Sequence, residues 1–428
     1  MPGKTAKYAP RSRKVLLMTD STLAVTPLPT AVAALMEAAH IAHELVAYRG
    51  ALTPRVLDAP ETEIAALAQG AALHDLGWMR RVAVRGDDRF RWLSGMVTNT
   101  VNDLFPNTGA WNLVLNAQGR IQGDLTVWRQ GEEHSPVRRN PVPADSAKVQ
   151  LETAEGSDVR FLGTPFAGES GLMLEIANDQ IEKLLAHFNR FIIMDDVELV
   201  PLVVEPVAEP GSETAIGLSG PLADEVLMRV GLPTIASPMS GKVVEWNGWD
   251  LTIMRGYGVL AKHYEFWLPT AGLTKLWSCL RTGGAIPVGC ESVEKLRIAE
   301  GIPTYGIDMV EKDLPQETAQ TRALHFNKGC YLGQEIVERI HSRGSVHRHL
   351  RPLELSGPVP ESGTELRLQD GSVAGHITSA AELALPIARR VFALGVVATQ
   401  AETSHQIFNY ASGAITGTAQ ILAEPPAM

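Results

Sequence analysis

The chain has 428 residues, of which 45% are hydrophobic and 20% charged, and its formal net charge is −10. At roughly 100–200 residues per domain, this length predicts two or three packed units. The composition is that of a globular protein, and the negative charge argues against stable nucleic-acid binding driven by electrostatic attraction. Without a run of 18 apolar residues, no membrane association is expected. The cysteines Cys279, Cys290 and Cys330 contain no CxxC pair, which favours a reducing compartment, the cytoplasm.

Residues 1–40 are predicted to be a disordered extension. The segment "MPGKTAKYAPRSRK" is basic and lacks acidic residues, and such a composition cannot bury a core. A targeting peptide is the alternative, but the apolar run "VLLM" is too short for a secretory signal. Further on, "AVAALMEAAHIAHELVAYRGA" carries apolar residues on every turn, which is typical of a helix. The main folded region is predicted to be residues 41–345.

Elements of both kinds follow in chain order. "RVAVRG" alternates like a strand, and "DDRFRWLSGMVTN" predicts a helix with Asp87 or Asp88 as its N-cap. "AWNLVLNAQGRIQGDLTVWRQ" predicts a hairpin with its turn at Gln118 and Gly119. Residues 131–148 are polar and proline-rich, which predicts a loop. "NDQIEKLLAHFNRFIIMDDVELV" predicts a helix and then a strand, giving the β-α-β-β-α-β order of a ferredoxin-like unit.

A similar mixed pattern returns over residues 215–345, and short strands with turn signals fill residues 346–428. The sequence therefore predicts an α+β protein. It comprises two ferredoxin-like mixed α/β units and a small C-terminal β-barrel.

The stretch "NKGCYLGQEIVERIHSRG", residues 327–344, places a lone thiol in a glycine-rich turn before an amphipathic helix. Its core "KGCYLGQE" resembles the signature of the YgfZ-type folate-binding proteins, a branch of the superfamily that includes the glycine-cleavage T-protein (an aminomethyltransferase). "FRWLSGMVTN", "LNAQGRIQGDL" and "RFIIMDDVEL" are similar to its N-terminal half, so the resemblance covers about residues 70–350 in order.

The resemblance carries several implications. It implies three lobes around a central channel that holds tetrahydrofolate or a derivative. It also implies an accessory role in iron–sulphur cluster assembly or repair, with an indirect effect on tRNA modification. The implied partners are folate and iron–sulphur proteins or their assembly machinery. A folate-dependent one-carbon transferase and an interaction scaffold with an empty channel are the alternatives.

Glu265 is the first candidate for folate contact. It lies in "GYGVLAKHYEFWLP", which is similar to the T-protein stretch whose carboxylate binds the pterin ring. A carboxylate can accept two parallel hydrogen bonds from a 2-aminopyrimidinone edge. On the residues alone, alternation in a strand would simply turn Glu265 to solvent. The T-protein arginine that pairs with folate would fall near Val293, so this chain lacks it there.

"NAQGRIQGD" departs from the T-protein pattern, in which two adjacent acids stand in this hairpin and the first is catalytic. Here the two positions are Gly123 and Asp124. Glycine has no carboxylate, which predicts that the chain is not an active aminomethyltransferase. Asp124 is a candidate folate contact, but it would reach the catalytic side only through a one-residue slip of the strand. Asn116 and Arg120 are either turn residues or ligand contacts.

Cys330 is a candidate reactive thiol. A helix beginning near Leu332 and the neighbouring Lys328 would both favour its thiolate, although a free cysteine is more often a small buried hydrophobe. Tyr331 and Gln334, in the same signature, are candidate folate contacts.

The basic strip "HSRGSVHRHLR" predicts either an anion site or a solvated connector, through Arg343, Arg348 and Arg351. No metal site is predicted, because the cysteines lack ligand spacing and the histidines of the strip are interleaved with arginines, which repel a cation.

Overall fold

The computed structural model describes residues 27–41, 43–131, 159–161, 171–202, 212–384, 389–402 and 406–423. Two α+β units share one twelve-stranded sheet, and a closed barrel follows them in the chain. This confirms the predicted fold class. Most of the loop predicted for residues 131–148 lies outside the described residues.

An N-terminal segment precedes the first unit. Its elements are α1 (Ala31–Ala38), β1 (Leu45–Tyr48), β2 (Ala51–Pro54), α2 (Pro60–Gln69) and β3 (Ala72–Asp75).

The predicted extension over residues 1–40 is too long at its C-terminal end. Thr30 Oγ1 accepts a hydrogen bond from Ala33 N and caps α1, and Val32 and Met36 are buried in the core of the second unit. The helical pattern also does not continue to residue 51. Arg49 and Gly50 both have positive φ, which closes a tight turn between β1 and β2.

The first unit follows β3 in the chain. It contains β4 (Met79–Arg85), α3 (Arg89–Ser94), β5 (Thr108–Leu115), β6 (Ile121–Gln130), β7 (Val159–Phe161), β8 (Gly171–Ala177), α4 (Asn178–Asn189) and β9 (Glu198–Pro201).

The second unit has the same order of elements. It contains β10 (Glu213–Ser219), α5 (Ala223–Arg229), β11 (Ser240–Trp246), β12 (Trp249–Arg255), β13 (His263–Pro269), α6 (Leu273–Thr282) and β14 (Ile286–Pro287).

The two units are topological repeats of one another. The strand order is β5-β6-β8-β4-β9 in the first unit and β11-β12-β13-β10-β3-β14 in the second, where β3 is inserted from the N-terminal segment. Strands β9-β4-β8-β6 have the ferredoxin-like order, with β5 as an additional edge strand. A single pairing, Ser240 with Thr108, joins β11 to β5 and makes the sheet continuous. Strands β4 and β8 of the first unit therefore correspond to β10 and β13 of the second.

Two helices and a barrel complete the chain. They are α7 (Cys290–Ala299), α8 (Gln334–Arg343), β15 (Arg348–Ser356), β16 (Glu365–Arg367), β17 (Val373–Ala384), β18 (Arg389–Ala398), β19 (Ile407–Ser412) and β20 (Ile415–Ile421).

Helix α7 is fixed between the second unit and the barrel. Arg297 on this helix pairs with the buried Asp308 at 2.7 Å, and Asp308 accepts a hydrogen bond from Thr378 of β17. The helix also packs Ile298 against Phe392 of β18. This arrangement sets one face of α7 against the space between the two units.

Candidate functional site

A cavity of about 250 Å³ lies where the inner faces of the two units meet, with α7 along one side. Its lining residues come from both units, from α7 and from the following segment, and no described barrel residue is among them. The polar and aromatic side chains of this lining are Tyr48, Arg49, His74, Trp78, Trp111, Asp124, Thr126, Trp128, Glu175, Gln180, Ser219, Tyr257, His263, Glu265, Arg297, Glu300 and Arg322. The central channel implied by the resemblance corresponds to this cavity.

Strand register brings four polar residues to one wall of the cavity. Gly217 on β10 pairs with His74 on β3 and with Glu265 on β13, and Ser219 pairs with His263. Cross-strand partners share a face, and so do residues two apart in a strand. His74, Ser219, His263 and Glu265 therefore all point into the cavity, while Tyr264 and Phe266 of β13 face the core.

Three of these residues form a hydrogen-bonded row that ends close to the fourth, Glu265. His74 Nε2 is 2.9 Å from Ser219 Oγ, which is 2.8 Å from His263 Nδ1. His263 Nε2 is in turn 3.5 Å from Glu265 Oε1. Burial lowers the pKa of His74 to about 3, so this imidazole stays neutral. If Nε2 of His74 donates to Ser219 and Ser219 donates to His263, His263 presents an N–H to Glu265, which is the assignment that a carboxylate favours.

The row requires a glycine on β10. A Cβ at Gly217 would lie 2.1 Å from His74 Cε1, a distance that no side chain could tolerate. The bare backbone lets the imidazole of His74 lie across β10 and reach Ser219.

Glu265 has one carboxylate oxygen without a partner. Its side chain is 12% exposed, and Oε2 is buried with no hydrogen-bond donor among the described residues. A buried carboxylate oxygen that accepts nothing is costly, because the desolvation of the charge is not offset. The geometry therefore leaves an acceptor facing the cavity, at the residue that the sequence predicted for folate contact.

Glu175 occupies the corresponding strand of the first unit and has a different environment. Arg81 on β4 lies directly across from it, with a separation of 3.1 Å between Arg81 Nη2 and Glu175 Oε1. Trp128 Nε1 donates to its other oxygen at 2.5 Å. Burial and the nearby Glu265 carboxylate raise the pKa of Glu175 to about 8, while Arg81 and Trp128 oppose this rise. Glu175 is thus satisfied within the protein.

Asp124, a candidate folate contact from the sequence, also faces the cavity. The register between β5 and β6 shifts by one residue, since Leu115 pairs with Ile121 but Val114 pairs with Gly123. This bulge supplies the one-residue slip that Asp124 needs. A Cβ at Gly123 would instead point at Gln180 and Leu184 of α4.

Both oxygens of Asp124 have donors. Trp111 Nε1 donates to Oδ2 at 2.9 Å, and Gln180 Nε2 donates to Oδ1 at 3.0 Å. The carboxylate is therefore held in a fixed orientation at the cavity wall.

Asn116 and Arg120 are turn residues and do not line the cavity. Asn116 Oδ1 accepts hydrogen bonds from the backbone N–H groups of Gln118 and Arg120, both at 3.0 Å. The Arg120 guanidinium donates to the carbonyl of Lys312 at 2.5 Å. Neither reaches the site in which the sequence placed it as a candidate.

The signature residues Lys328 and Cys330 are not a thiolate pair. Lys328 Nζ donates to the carbonyl oxygens of Ser94, Val97 and Asn99 at 2.7–2.8 Å, at the end of α3. Burial lowers the pKa of Lys328 to about 7, but three acceptors call for the three N–H groups of the ammonium form. Lys328 therefore links the signature segment to the chain that follows α3.

Cys330 is exposed and does not line the cavity. Helix α8 begins at Gln334 and not near Leu332, so Cys330 lies outside its first turn. The other two thiols are less accessible, since Cys290 is buried and Cys279 is partly buried. Burial raises the pKa of both.

Tyr331, Gln334 and Gly333 also serve local structure. Tyr331 is buried beside Leu113 and Val337, and its backbone N–H donates to Gln334 Oε1 at 3.2 Å. Gly333 has a φ of 82°, and a Cβ there would lie 2.6 Å from the carbonyl oxygen of Asn116. The glycine lets the signature lie against the turn between β5 and β6.

The basic strip is a connector. Arg348 pairs with Asp313 and Glu317, and Arg351 pairs with Glu402. His341 stacks on Phe326. Within the described ranges, no three histidine, cysteine, aspartate or glutamate side chains are grouped to hold a metal ion. No described helix is both long and apolar enough to cross a membrane.

Sequence reasoning missed His74, Ser219, His263, Glu175 and Arg322 as cavity residues. The spacing of His263 and Glu265 carried a usable signal, since residues two apart in a strand share a face. His74 carried none, because its strand pairs with β10, which lies far later in the chain, only in the folded state.

The architecture has a counterpart among solved structures. The structure superposes on aminomethyltransferase T of the glycine cleavage system from Bartonella henselae with a TM-score of 0.74, covering 92% of this chain and 96% of that one at 18% identity. The chain has the T-protein fold. Residues 31–161 match the GCVT N-terminal domain model.

Sequence relatives agree with this superfamily. An aminomethyltransferase of Rubrobacter xylanophilus is 25% identical, over 74% of each chain. A putative chloroplastic transferase of Arabidopsis thaliana is 21% identical over 75% of this chain, which spans 64% of that relative's length. These findings support the T-protein superfamily and do not single out the YgfZ-type branch.

Replacing Lys328 should destabilise the protein more than replacing Cys330. Lys328→Met leaves three carbonyl oxygens without a donor, so we expect the free energy of unfolding to fall by about 2–4 kcal/mol. Cys330→Ala should change it by less than about 0.5 kcal/mol, as for other exposed sites. Urea denaturation of both variants measures the difference, and equal effects would contradict the structural role of Lys328.

Proposed function

We propose that the cavity binds tetrahydrofolate or a derivative, with the pterin edge on Glu265. The unpartnered Oε2 of Glu265 carries the proposal, since an amino-pterin edge offers the N–H donors that this oxygen lacks. The row from His74 supports it, because the row ends with His263 Nε2 at 3.5 Å from the other oxygen of Glu265. The aromatic lining from Trp78, Trp111 and Tyr257 suits a flat heterocycle.

The folate would be a resident ligand that supports other proteins, as in the YgfZ-type branch that the signature resembles. In this proposal the protein assists iron–sulphur cluster assembly or repair in the cytoplasm, and so affects cluster-dependent tRNA modification indirectly. The exposed thiol of Cys330 is the group that would meet a partner protein or its sulphur, because it is accessible from outside the cavity.

A folate-dependent one-carbon transferase is the second candidate, and the position of Asp124 favours it. The carboxylate lies in the same cavity as Glu265 and could hold a proton from an amine. Its two hydrogen bonds, from Trp111 and Gln180, hold the carboxylate in a fixed orientation.

Removing the Glu265 carboxylate should weaken folate binding. We expect Glu265→Ala and Glu265→Gln to lose about 1.5–3 kcal/mol of tetrahydrofolate affinity, the usual value of a hydrogen bond to a charged group. Isothermal titration with wild type measures it, and Glu335→Gln, an exposed carboxylate on α8, is the matched control. Unchanged affinity in a Glu265 variant with an unchanged melting temperature would refute the assignment.

Turnover should be near background. With an aminomethylated carrier and tetrahydrofolate, we expect purified protein to form no methylene-tetrahydrofolate above the uncatalysed rate, because Gly123 stands where the T-protein pattern has its catalytic acid. Spectrophotometric detection of the product tests this. Robust turnover that disappears in Asp124→Asn would establish the transferase in place of the accessory role.

The accessory role makes a prediction in cells. A strain lacking the protein should lose activity of cluster-dependent enzymes, and wild type should restore it. Cys330→Ala should fold normally yet fail to restore these activities, while Cys279→Ala should succeed. Full restoration by Cys330→Ala would remove the thiol from the proposal without affecting the folate site.

A further inference from the structure

Arg322 lies on the cavity wall between two aromatic rings. Its guanidinium carbon is 4.3 Å from the centre of the Trp111 ring and 3.8 Å from that of Tyr257. Tyr257 is 40% exposed, so this pair marks the cavity mouth, whereas Glu265 is nearly buried. Burial lowers the pKa of Arg322 to about 10, which keeps it charged at neutral pH.

The surroundings of Arg322 are preorganised. Asn99 Nδ2 donates to the carbonyl oxygens of both Trp111 and Arg322, at 3.0 and 2.8 Å, and so fixes the two backbones side by side. Glu300 Oε1 accepts three backbone N–H groups of residues 259–261 and anchors the loop that carries Tyr257. The guanidinium is therefore held in place before any ligand arrives.

Arg322 has no carboxylate partner among the described residues. Its Nε donates to the amide oxygen of Gln320 at 3.3 Å, and no ion pair is formed. Arg297, by contrast, pairs with Glu294 and Asp308. Arg49 also lacks an ion pair, but its guanidinium donates to Thr304 Oγ1 at 2.5 Å. Asp124 and Glu300 are close enough to favour the charged form of Arg322, but neither bonds to the guanidinium, which leaves its N–H groups available to a ligand carboxylate.

We propose that Arg322 is the receptor for a carboxylate of the ligand that Glu265 binds in the same cavity. The inference rests on the proposed folate site and extends it: the ligand carries hydrogen-bond donors at one end and a carboxylate, such as a glutamyl tail, at the other. A planar guanidinium can bind a carboxylate through two parallel N–H bonds, and the flanking rings keep it in one plane. Arg322 would thus supply the contact that is missing at Val293.

The test compares tetrahydrofolate with its α,γ-diamide, which lacks the tail carboxylates, by isothermal titration of the full chain. Wild type should bind tetrahydrofolate about 10–100 times more tightly than the diamide. Arg322→Met should lose this factor for tetrahydrofolate and leave the diamide unchanged. Arg322→Lys keeps the positive charge but loses the planar guanidinium, so it should retain part of this affinity ratio. Arg120→Gln lies outside the cavity and should retain the full ratio.

Three results would overturn the inference: equal affinity of wild type for both ligands, equal losses for both in a folded Arg322 variant, or a tail-dependent loss in Arg49→Gln instead. A third ligand separates this from the folate proposal. 6-Methyltetrahydropterin has no tail, so its binding should depend on Glu265 and not on Arg322. If it binds in that way while the tail comparison fails, the folate site stands and only the role of Arg322 falls.

Discussion

The cavity is organised by a buried carboxylate that the protein itself does not neutralise. The two units repeat one topology, and each places a glutamate on the strand that pairs with its first strand. In the first unit Arg81 stands opposite Glu175 and offsets its charge. In the second unit Gly217 stands opposite Glu265, so the corresponding position on β10 holds no cation. The difference between the repeats makes one glutamate structural and leaves the other available to a ligand.

The neighbouring polar residues hold Glu265 in place but leave its Oε2 without a hydrogen-bond donor among the described residues. The imidazole of His74 fits over the bare backbone of Gly217, and through Ser219 it sets the tautomer of His263. Burying the carboxyl group of Glu265 lowers stability. The packing of large side chains on the opposite face of the same strands offsets this loss.

The sequence predicted the fold class and, through the family resemblance, the candidate residue Glu265. Alternation and turn chemistry were enough for the hairpin of β5 and β6, because these are local properties. Glu265 was selected through the family resemblance, since alternation alone would have turned it to solvent. Alternation and turn chemistry failed at Asp124, because one extra residue in a bulge reverses the facing of everything beyond it and leaves no mark on the pattern. They also failed at Lys328, whose acceptors lie more than 200 residues earlier in the chain.

The glycine-rich signature acts on the cavity from a distance. Lys328 binds the end of α3, Leu332 N donates to the carbonyl of Gly95 at 2.9 Å, and Gly333 lies against the β5–β6 turn. These ties hold the segment just before the signature, residues 321–326, beside β5, where Arg322 meets Trp111. The signature therefore need not touch a ligand to be required for binding one, since it fixes the strand pair and the arginine that do. An exposed thiol at its tip is then free to serve a separate surface role.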